Sequence, residues 1–352
     1  MPDFAELGLA ANIGIFAAAA VAVWLAGTRI ARYADGLSKK LGIGQAVIGL
    51  LLLAGVTSLP EIAVTTTAAT TGDADLAVNN LLGSIAMQVT VIAVIDLLVS
   101  RRAMTAIVPD PSLLLQGTLN VLLLSIAAAG IVVGDIAVLG IGAWAWGCLI
   151  AYVASVWVLS QAQGRQPWHA TDAERSRGNR PSPRKSGADA ASAEAYPLPR
   201  LIAMTAAAAA VILVAGYMVE RTGSAIAEQT GLGSSFVGFV LVAISTSLPE
   251  FSSALSAARL GLFTMAISDI LGTNLINIGL IFVTDLLAGG EPVLNRLGSF
   301  SIFGALLAII LVAIYIGGVA ERRDKAIFRM GIDSLLVLVL YAGGLVLLYT
   351  MR

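Results

Sequence analysis

Histidine and cysteine are almost missing from this 352-residue chain, which holds one of each, His169 and Cys148. A single cysteine excludes a disulfide within the chain, and inside an apolar stretch it reads as a small packing residue. A single histidine in a polar segment supports neither a histidine-based zinc site nor an intramembrane histidine relay. No His-Glu-x-x-His or Gly-x-Gly-Asp pattern is present, so little catalytic equipment remains and the chain reads as a non-enzyme. Charge is scarce as well: 12% of residues are charged, and 21 basic against 22 acidic side chains leave a net −1. That balance names no partner; nothing points to nucleic acid, an obligatory protein partner or a cofactor.

What the chain has in quantity is apolar sequence, 58% of its residues, with a mean hydropathy of +0.89. That lies far outside the soluble norm and predicts an all-α integral membrane protein with the bilayer as its surroundings. Apolar runs of about 20 residues predict ten transmembrane helices, over residues 7–30, 44–71, 74–99, 112–134, 137–161, 200–221, 234–259, 262–288, 298–319 and 331–350. Asp3 and Glu6 precede the first run in place of a basic segment, so a true helix is expected there and not a cleaved signal peptide.

Basic residues avoid the centres of these runs. Arg29, Arg32, Lys39 and Lys40 follow the first, Arg101 and Arg102 the third, Arg165 to Lys185 and Arg200 lie around the middle of the chain, and Arg322, Arg323, Lys325 and Arg329 follow the ninth. The positive-inside rule then makes the odd-numbered loops cytoplasmic and puts both termini outside. Compact Ala-rich composition without a transit-type start reads as a prokaryotic plasma (inner) membrane protein. Residues 162–199, rich in Arg, Ser, Pro and Gly, read as a flexible cytoplasmic linker. Its acids, Asp172, Glu174, Asp189 and Glu194, are not at calcium-loop spacing.

The sharpest signal is Thr57-Ser58-Leu59-Pro60-Glu61, which returns as Thr246-Ser247-Leu248-Pro249-Glu250. Moved by 189 positions, the separation of Thr57 from Thr246, the chain also superposes Gly44 on Gly233, Gly83 on Gly272 and Asp96 on Asp285 without a gap. Five spans in each half, an odd number, require the second half to enter the membrane in the opposite sense. The expected architecture is therefore two inverted-topology repeats, residues 1–161 and 200–352, with helices 2 and 7 broken at the prolines.

A proline inside a helix removes one N–H and pushes away the carbonyl four residues back, which frees backbone oxygens near Thr57 and Thr246. Hydroxyl and carboxylate three and four residues apart then share one side of the helix. A carboxylate at membrane depth costs roughly 3 kcal/mol or more on insertion scales, and so faces a cavity, a partner or an ion. The next helix in each half adds a polar stripe at spacing four, Asn80, Ser84 and Gln88 in one and Asp269, Thr273 and Asn277 in the other. Gly83 and Gly272 are expected to let these helices come close to the broken ones. The donors on offer are carboxylate, hydroxyl, amide and main-chain oxygens, a set that suits hard cations such as calcium or sodium and not softer metals. Asp96 and Asp285, near helix ends, read as interface or loop anchors, with Arg101 or Arg102 a candidate partner for Asp96.

These motifs resemble the sodium/calcium exchanger family of the calcium/cation antiporter superfamily, whose two repeats carry Gly-Thr/Ser-Ser-x-Pro-Glu followed by Gly-Ser/Thr-Asn-x-x-Asn/Asp. The resemblance implies a ten-helix antiporter in which Thr57, Ser58, Glu61, Thr246, Ser247 and Glu250 match ion-coordinating positions, joined by Ser84, Gln88, Thr273 and Asn277. It also marks departures. Gln88 replaces an Asn, Ile85 replaces the Asn after Ser84, Val56 and Ser245 replace the Gly before each motif, and Asn277 stands where relatives often have Asp. Glu61 and Glu250 are then the main charge, a pair that one calcium, two sodium ions or two protons would balance. Asp269, opposite Asn80 in the repeat, is an accessory ligand, a proton-coupling group or a vestibule charge. The leading expectation is an antiporter that exports Ca2+ in exchange for Na+ by alternating access. A proton-coupled divalent cation antiporter is the close rival, since a buried carboxyl beside another can carry a proton, and a cation channel is remote.

Overall fold

The computed structural model describes residues 4–41, 55, 57–99, 103–107, 112–162, 196–259, 261, 263–321, 326–327 and 330–352. The helices are α1 (Leu9–Leu41), α2 (Leu59–Thr71), α3 (Ala74–Val99), α4 (Ser112–Val133), α5 (Ala143–Ala162), α6 (Leu198–Thr230), α7 (Ser234–Thr246), α8 (Leu248–Arg259), α9 (Phe263–Ala288), α10 (Ser299–Glu321) and α11 (Ile332–Thr350). Among the described residues the strands form two minimal antiparallel hairpins, β1 (Ala137–Val138) with β2 (Ile141–Gly142) and β3 (Ala326–Ile327) with β4 (Met330–Gly331).

Among the described residues eight helices are long and apolar enough to cross a membrane: α1, α3, α4, α5, α6, α9, α10 and α11. The pair α7 and α8, bent by 45°, makes a ninth when taken as one span. Helix α2 is the described part of the expected second span; residues 44–54 and 56 lie outside the described residues. So do positions 163–195 of the expected linker, Arg101, Arg102 and most of the basic loop after α10. Three boundaries differ from expectation by more than a few residues. The fifth helix starts at Ala143 because Leu139 and Gly140, both at positive φ (56° and 82°), turn residues 137–142 into a hairpin. Helices α1 and α6 run past their apolar stretches, to Leu41 and Thr230, where polar residues carry them beyond bilayer depth.

Helices α3 and α9 form the centre. Both are apolar around most of their circumference and buried there, as expected for helices enclosed by others. Their Leu82, Ile85, Val89, Ile92, Ile270, Leu275 and Ile278 join Leu123, Leu311 and Val337 of α4, α10 and α11 in the main core. A smaller cluster ties α1 and α6 to α2 and α7 through Val23, Val64, Ala68, Val219 and Val242. Outward-facing residues such as Ile150, Val153, Trp157, Val214 and Val346 stay exposed, the side a lipid environment would cover.

Element boundaries repeat at the offset seen in the sequence. Shifted by 189, α1 becomes α6, α3 becomes α9, and the first hairpin becomes the second, residue for residue. Packing crosses between halves: Gly27 of α1 lies against Pro249 of α8, and Gly216 of α6 against Ala63 of α2, each leaving no room for a Cβ. The two buried aspartates complete this pattern. Asp96 accepts the N–H of Met104 (2.9 Å), the N–H of Gly331 (2.9 Å) and the hydroxyl of Ser334 (2.7 Å). Asp285 accepts the N–H of Gly142 (2.5 Å) and that of Val293. Each aspartate holds its own half's loop and the opposite half's hairpin, so the anchoring role expected of them is what they perform.

Removing either carboxylate strands two buried N–H groups, at about 1–3 kcal/mol apiece. Asp96→Ala and Asp285→Ala should each lower the thermal unfolding temperature in detergent by several degrees, measured by intrinsic fluorescence. An unchanged unfolding temperature in both would refute the staple.

Candidate cation site

The site starts at the first turns of α2 and α8, the second of which follows a 45° bend from α7. Ser58 (φ −78°, ψ 4°) precedes α2 and Ser247 (φ −82°, ψ 0°) separates α7 from α8, the same backbone conformation in both halves. This is the sparsely populated bridge region, which interrupts the helix without a glycine. Pro60 and Pro249 sit in the first turn of the new helix, where a missing N–H costs nothing, and Ile62 N–H to Ser58 O (2.9 Å) and Phe251 N–H to Ser247 O (3.0 Å) resume the ladder. Glu61 and Glu250 therefore occupy the opening turns of α2 and α8, where the helix dipole presents its positive end to a carboxylate.

Before the second break α7 widens into a π-turn over Gly238–Val242, a feature that no sequence pattern announced and one often found where a helix is shaped for function. At that turn α3 touches backbone. A Cβ on Gly83 would stand 2.6 Å from Cα of Phe239, and one on Gly238 would meet the carbonyl of Leu76 at 2.7 Å. The close approach expected at Gly83 is present. At Gly272 a Cβ would meet no atom within 4 Å among the described residues, and the segment matching Phe239, around position 50, lies outside them.

Helices α2 and α8 both pack against α3 and α9, which brings the polar stripes to the breaks. Thr57, Ser58, Glu61, Asn80, Ser84, Gln88, Thr246, Ser247, Glu250, Thr273 and Asn277 are all buried, at 0–1% exposure. Thr246 joins the halves: its hydroxyl is 3.3 Å from that of Ser84, 3.4 Å from Oδ1 of Asn80, and beside the Glu61 carboxylate. Glu250 lies within electrostatic reach of Glu61 and of Asp269. Asp269 differs from the rest, being half-buried and accepting the Ser253 hydroxyl at 2.9 Å, while Thr273 donates to the Asp269 carbonyl at 3.1 Å.

Most of these polar atoms have no hydrogen-bond partner among the described residues. Both oxygens of Glu61, both of Glu250, the hydroxyls of Ser58 and Ser247, and the amide groups of Gln88 and Asn277 are in that state. So is Asn274, fully buried with both amide atoms unpartnered, which the spacing-four stripe does not select although the Gly-Thr-Asn run from Gly272 contains it. Its counterpart is Ile85. Buried polar groups are normally paired, and oxygen acceptors concentrated this way suit a hard cation. Among the described residues no three His, Cys, Asp or Glu side chains are grouped to hold a metal ion. The fully buried charge at this site is one pair of carboxylates, with Asp269 half-buried within electrostatic reach of Glu250 and neutral oxygens around them.

Comparison with known proteins adds the family. Residues 11–161 and 200–350 match the family described as sodium/calcium exchanger protein. The chain is 32% identical to sodium/calcium exchanger MaX1 of Methanosarcina acetivorans over 135 residues, a match spanning 38% of each protein. It is 28% identical to inner membrane protein YrbG of Escherichia coli over 255 residues, 71% of each. Among solved structures, the H+/Ca2+ exchanger CAX shares the fold at a TM-score of 0.63 and 15% identity, over 96% of this chain and 88% of that one. The sodium-calcium exchanger NCX_Mj does so at 0.58 and 18%, over 95% and 98%.

Exchanging an unpaired buried carboxylate for an amide removes a charge the fold does not compensate. In sodium-free buffer with chelator, Glu61→Gln and Glu250→Gln should unfold at or above the wild-type temperature. Added calcium should raise the wild-type value by several degrees and the variants' by less. A wild-type unfolding temperature indifferent to every cation tried argues against a cation site.

Proposed function

Because the chain belongs to the sodium/calcium exchanger family, we propose that this multi-pass membrane protein is a secondary antiporter that exports Ca2+ in exchange for Na+ at a site centred on Glu61 and Glu250. The observation that carries this reading is the burial, at the starts of α2 and α8, of four carboxylate oxygens that have no partner among the described residues. Two carboxylates neutralise one Ca2+. The neutral oxygens of Thr57, Ser58, Ser84, Gln88, Thr246, Ser247, Thr273 and Asn277 can make up the six to eight that calcium takes. Sodium uses subsets of the same oxygens, so the two ions compete, and competition at one site is what couples their movements.

Alternating access then requires that the occupied site face one side at a time. In the proposed architecture ten spans form two inverted repeats, residues 1–161 and 200–352, with the second span completed ahead of α2 and residues 162–199 as a cytoplasmic linker. Support comes from the repeated element boundaries and from the crossed packing of α1 on α8 and α6 on α2. Inverted halves give two nearly equivalent conformations of opposite sidedness, and ions shift the balance between them by differential binding. Both termini are placed outside by the distribution of Lys and Arg; a prokaryotic inner membrane is the matching location.

A second reading, proton-coupled export of Ca2+, is favoured by one particular observation. Asn277 and Gln88 are neutral, which leaves two carboxylates that two protons would satisfy, and Asp269 supplies a third acid bonded to Ser253 beside Glu250.

Proteoliposomes separate the readings. Calcium-45 uptake should follow an imposed sodium gradient and persist when pH is equal on both sides; uptake driven only by a pH gradient, with sodium absent, would replace sodium by protons. Glu61→Gln and Glu250→Gln should each abolish exchange, by at least about 100-fold for a buried charge contact worth about 3 kcal/mol. Near-normal flux in either variant moves the site elsewhere. Asp269→Asn should leave sodium-driven flux in place under the first reading and flatten its pH dependence under the second.

A further inference from the structure

Glu220 takes no part in the central site, yet it is also a fully buried acid in a membrane-spanning helix, at 0% exposure. It lies on α6, on the bundle face that carries the end of α2 and the start of α3, opposite the end where α6 leaves the linker. Oε1 accepts the hydroxyl of Thr71 at 3.2 Å, and Oε2 has no partner among the described residues. Even that one bond is shared. The single Thr71 hydrogen also has the carbonyls of Thr67 (2.9 Å) and Ala68 (3.2 Å) within reach. Asp73 adds a second negative charge within electrostatic reach of Glu220, and Arg221, next along the helix, offsets part of the total. One Asp73 oxygen accepts the N–H of Leu76 (3.1 Å), and the other takes the Ser224 hydroxyl (3.1 Å).

Two carboxylates and two hydroxyls from three elements thus meet at one spot, with Thr71 exposed at the surface and Glu220 sealed beneath it. A structural explanation falls short, because a purely structural buried acid is satisfied as Asp96 is, and Glu220 keeps an oxygen free. The repeat also makes the cluster one-sided. At the 189-residue offset, Ala31 stands opposite Glu220, Leu260 opposite Thr71 and Leu262 opposite Asp73; Asp35, opposite Ser224, is the one polar counterpart, and three of the four cluster positions are apolar in the other half. The duplication carries the Glu61 and Glu250 motif in both halves and this cluster in one, so it belongs to one membrane face. Along α2, Thr71 is ten residues from Glu61, about 15 Å at the helical rise.

We propose that Glu220, Asp73, Thr71 and Ser224 form a second, accessory site for a hard cation, Ca2+ or Na+, at the face opposite the linker, where ions are held before they enter or after they leave the central pair. Sodium and calcium both suit an all-oxygen set of this charge, and a site lined by negative charge raises the local concentration of cations above bulk. The site acts on that face alone, which gives a symmetric fold a preferred direction of capture. The ion's identity rests on the antiport reading; the existence of the site does not.

Binding is tested first on purified protein with the central pair disabled. The Glu61→Gln/Glu250→Gln variant should retain weak binding of calcium-45 or sodium-22 in equilibrium dialysis, and adding Glu220→Gln should remove it. Retained binding after that third change overturns the proposal, as does no binding of either ion before it. Wild-type protein that binds neither ion overturns the antiport reading as well, which separates the two failures. In oriented vesicles, Glu220→Gln should raise the KM for the captured ion about tenfold from the face opposite the linker, and leave KM from the linker face unchanged. An equal change from both faces, or from neither, refutes one-sided capture. If Glu220→Gln does not fold, Ser224→Ala provides the same comparison, with a smaller shift confined to the same face.

Discussion

A buried carboxylate without a partner is the constraint around which this molecule is built. In a dry interior a lone charge interacts strongly with anything near it, and no water is there to relax the demand. Glu61 and Glu250 are placed in that condition together, so each makes the other's position worse until something positive arrives. The remaining architecture holds them there: proline-broken helices that put both acids in a first turn, two central helices that surround the breaks, and a π-turn that lets α3 reach backbone at Phe239.

The same chain shows what a structural acid looks like. Asp96 accepts three hydrogen bonds and Asp285 at least two, and both fasten a hairpin of the opposite half. Satisfied acids of this kind specify how the halves meet, whereas unsatisfied ones create a demand that a substrate can meet. Fully satisfied and fully unsatisfied networks have opposite consequences for rigidity. Here the satisfied pair stands at the ends of α3 and α9 and the unsatisfied pair near their middle, so anchoring and the proposed ion binding fall to different acids.

Departures from the internal repeat show where the halves have separate work. Asp269 faces Asn80 across the offset, Asn274 faces Ile85, and Glu220 faces Ala31. None of these differences disturbs the helix boundaries, which still coincide, so they change the side-chain chemistry and leave the scaffold alone. A transporter with identical halves would treat both faces alike. Polar groups carried by one half only make the two faces chemically distinct, and the distinction falls at the central site with Asp269 and Asn274 and at one surface with Glu220.

By itself the sequence determined the membrane class, most of the spans, the duplication at its 189-residue offset, and the two motifs. Each is a statement about local composition or self-similarity, and apolar length, proline placement and repetition are properties that a neighbour in space does not alter. Ten of the ten central site residues it singled out are buried at 0–1% exposure, because an intramembrane polar residue has few places to go. Tertiary structure decided the rest. Which acid is satisfied depends on N–H groups as far off as Gly331 and Gly142, and no local pattern reveals them. The close contact of the π-turn with α3, the amide of Asn274 without a partner among the described residues and the meeting of Glu220 with Thr71 arise from helices packed far apart in the chain, whereas the hairpin that delays α5 to Ala143 is a local turn hidden inside an apolar run. Identical residue types became anchors, ligands or surface charges according to what the fold brought beside them.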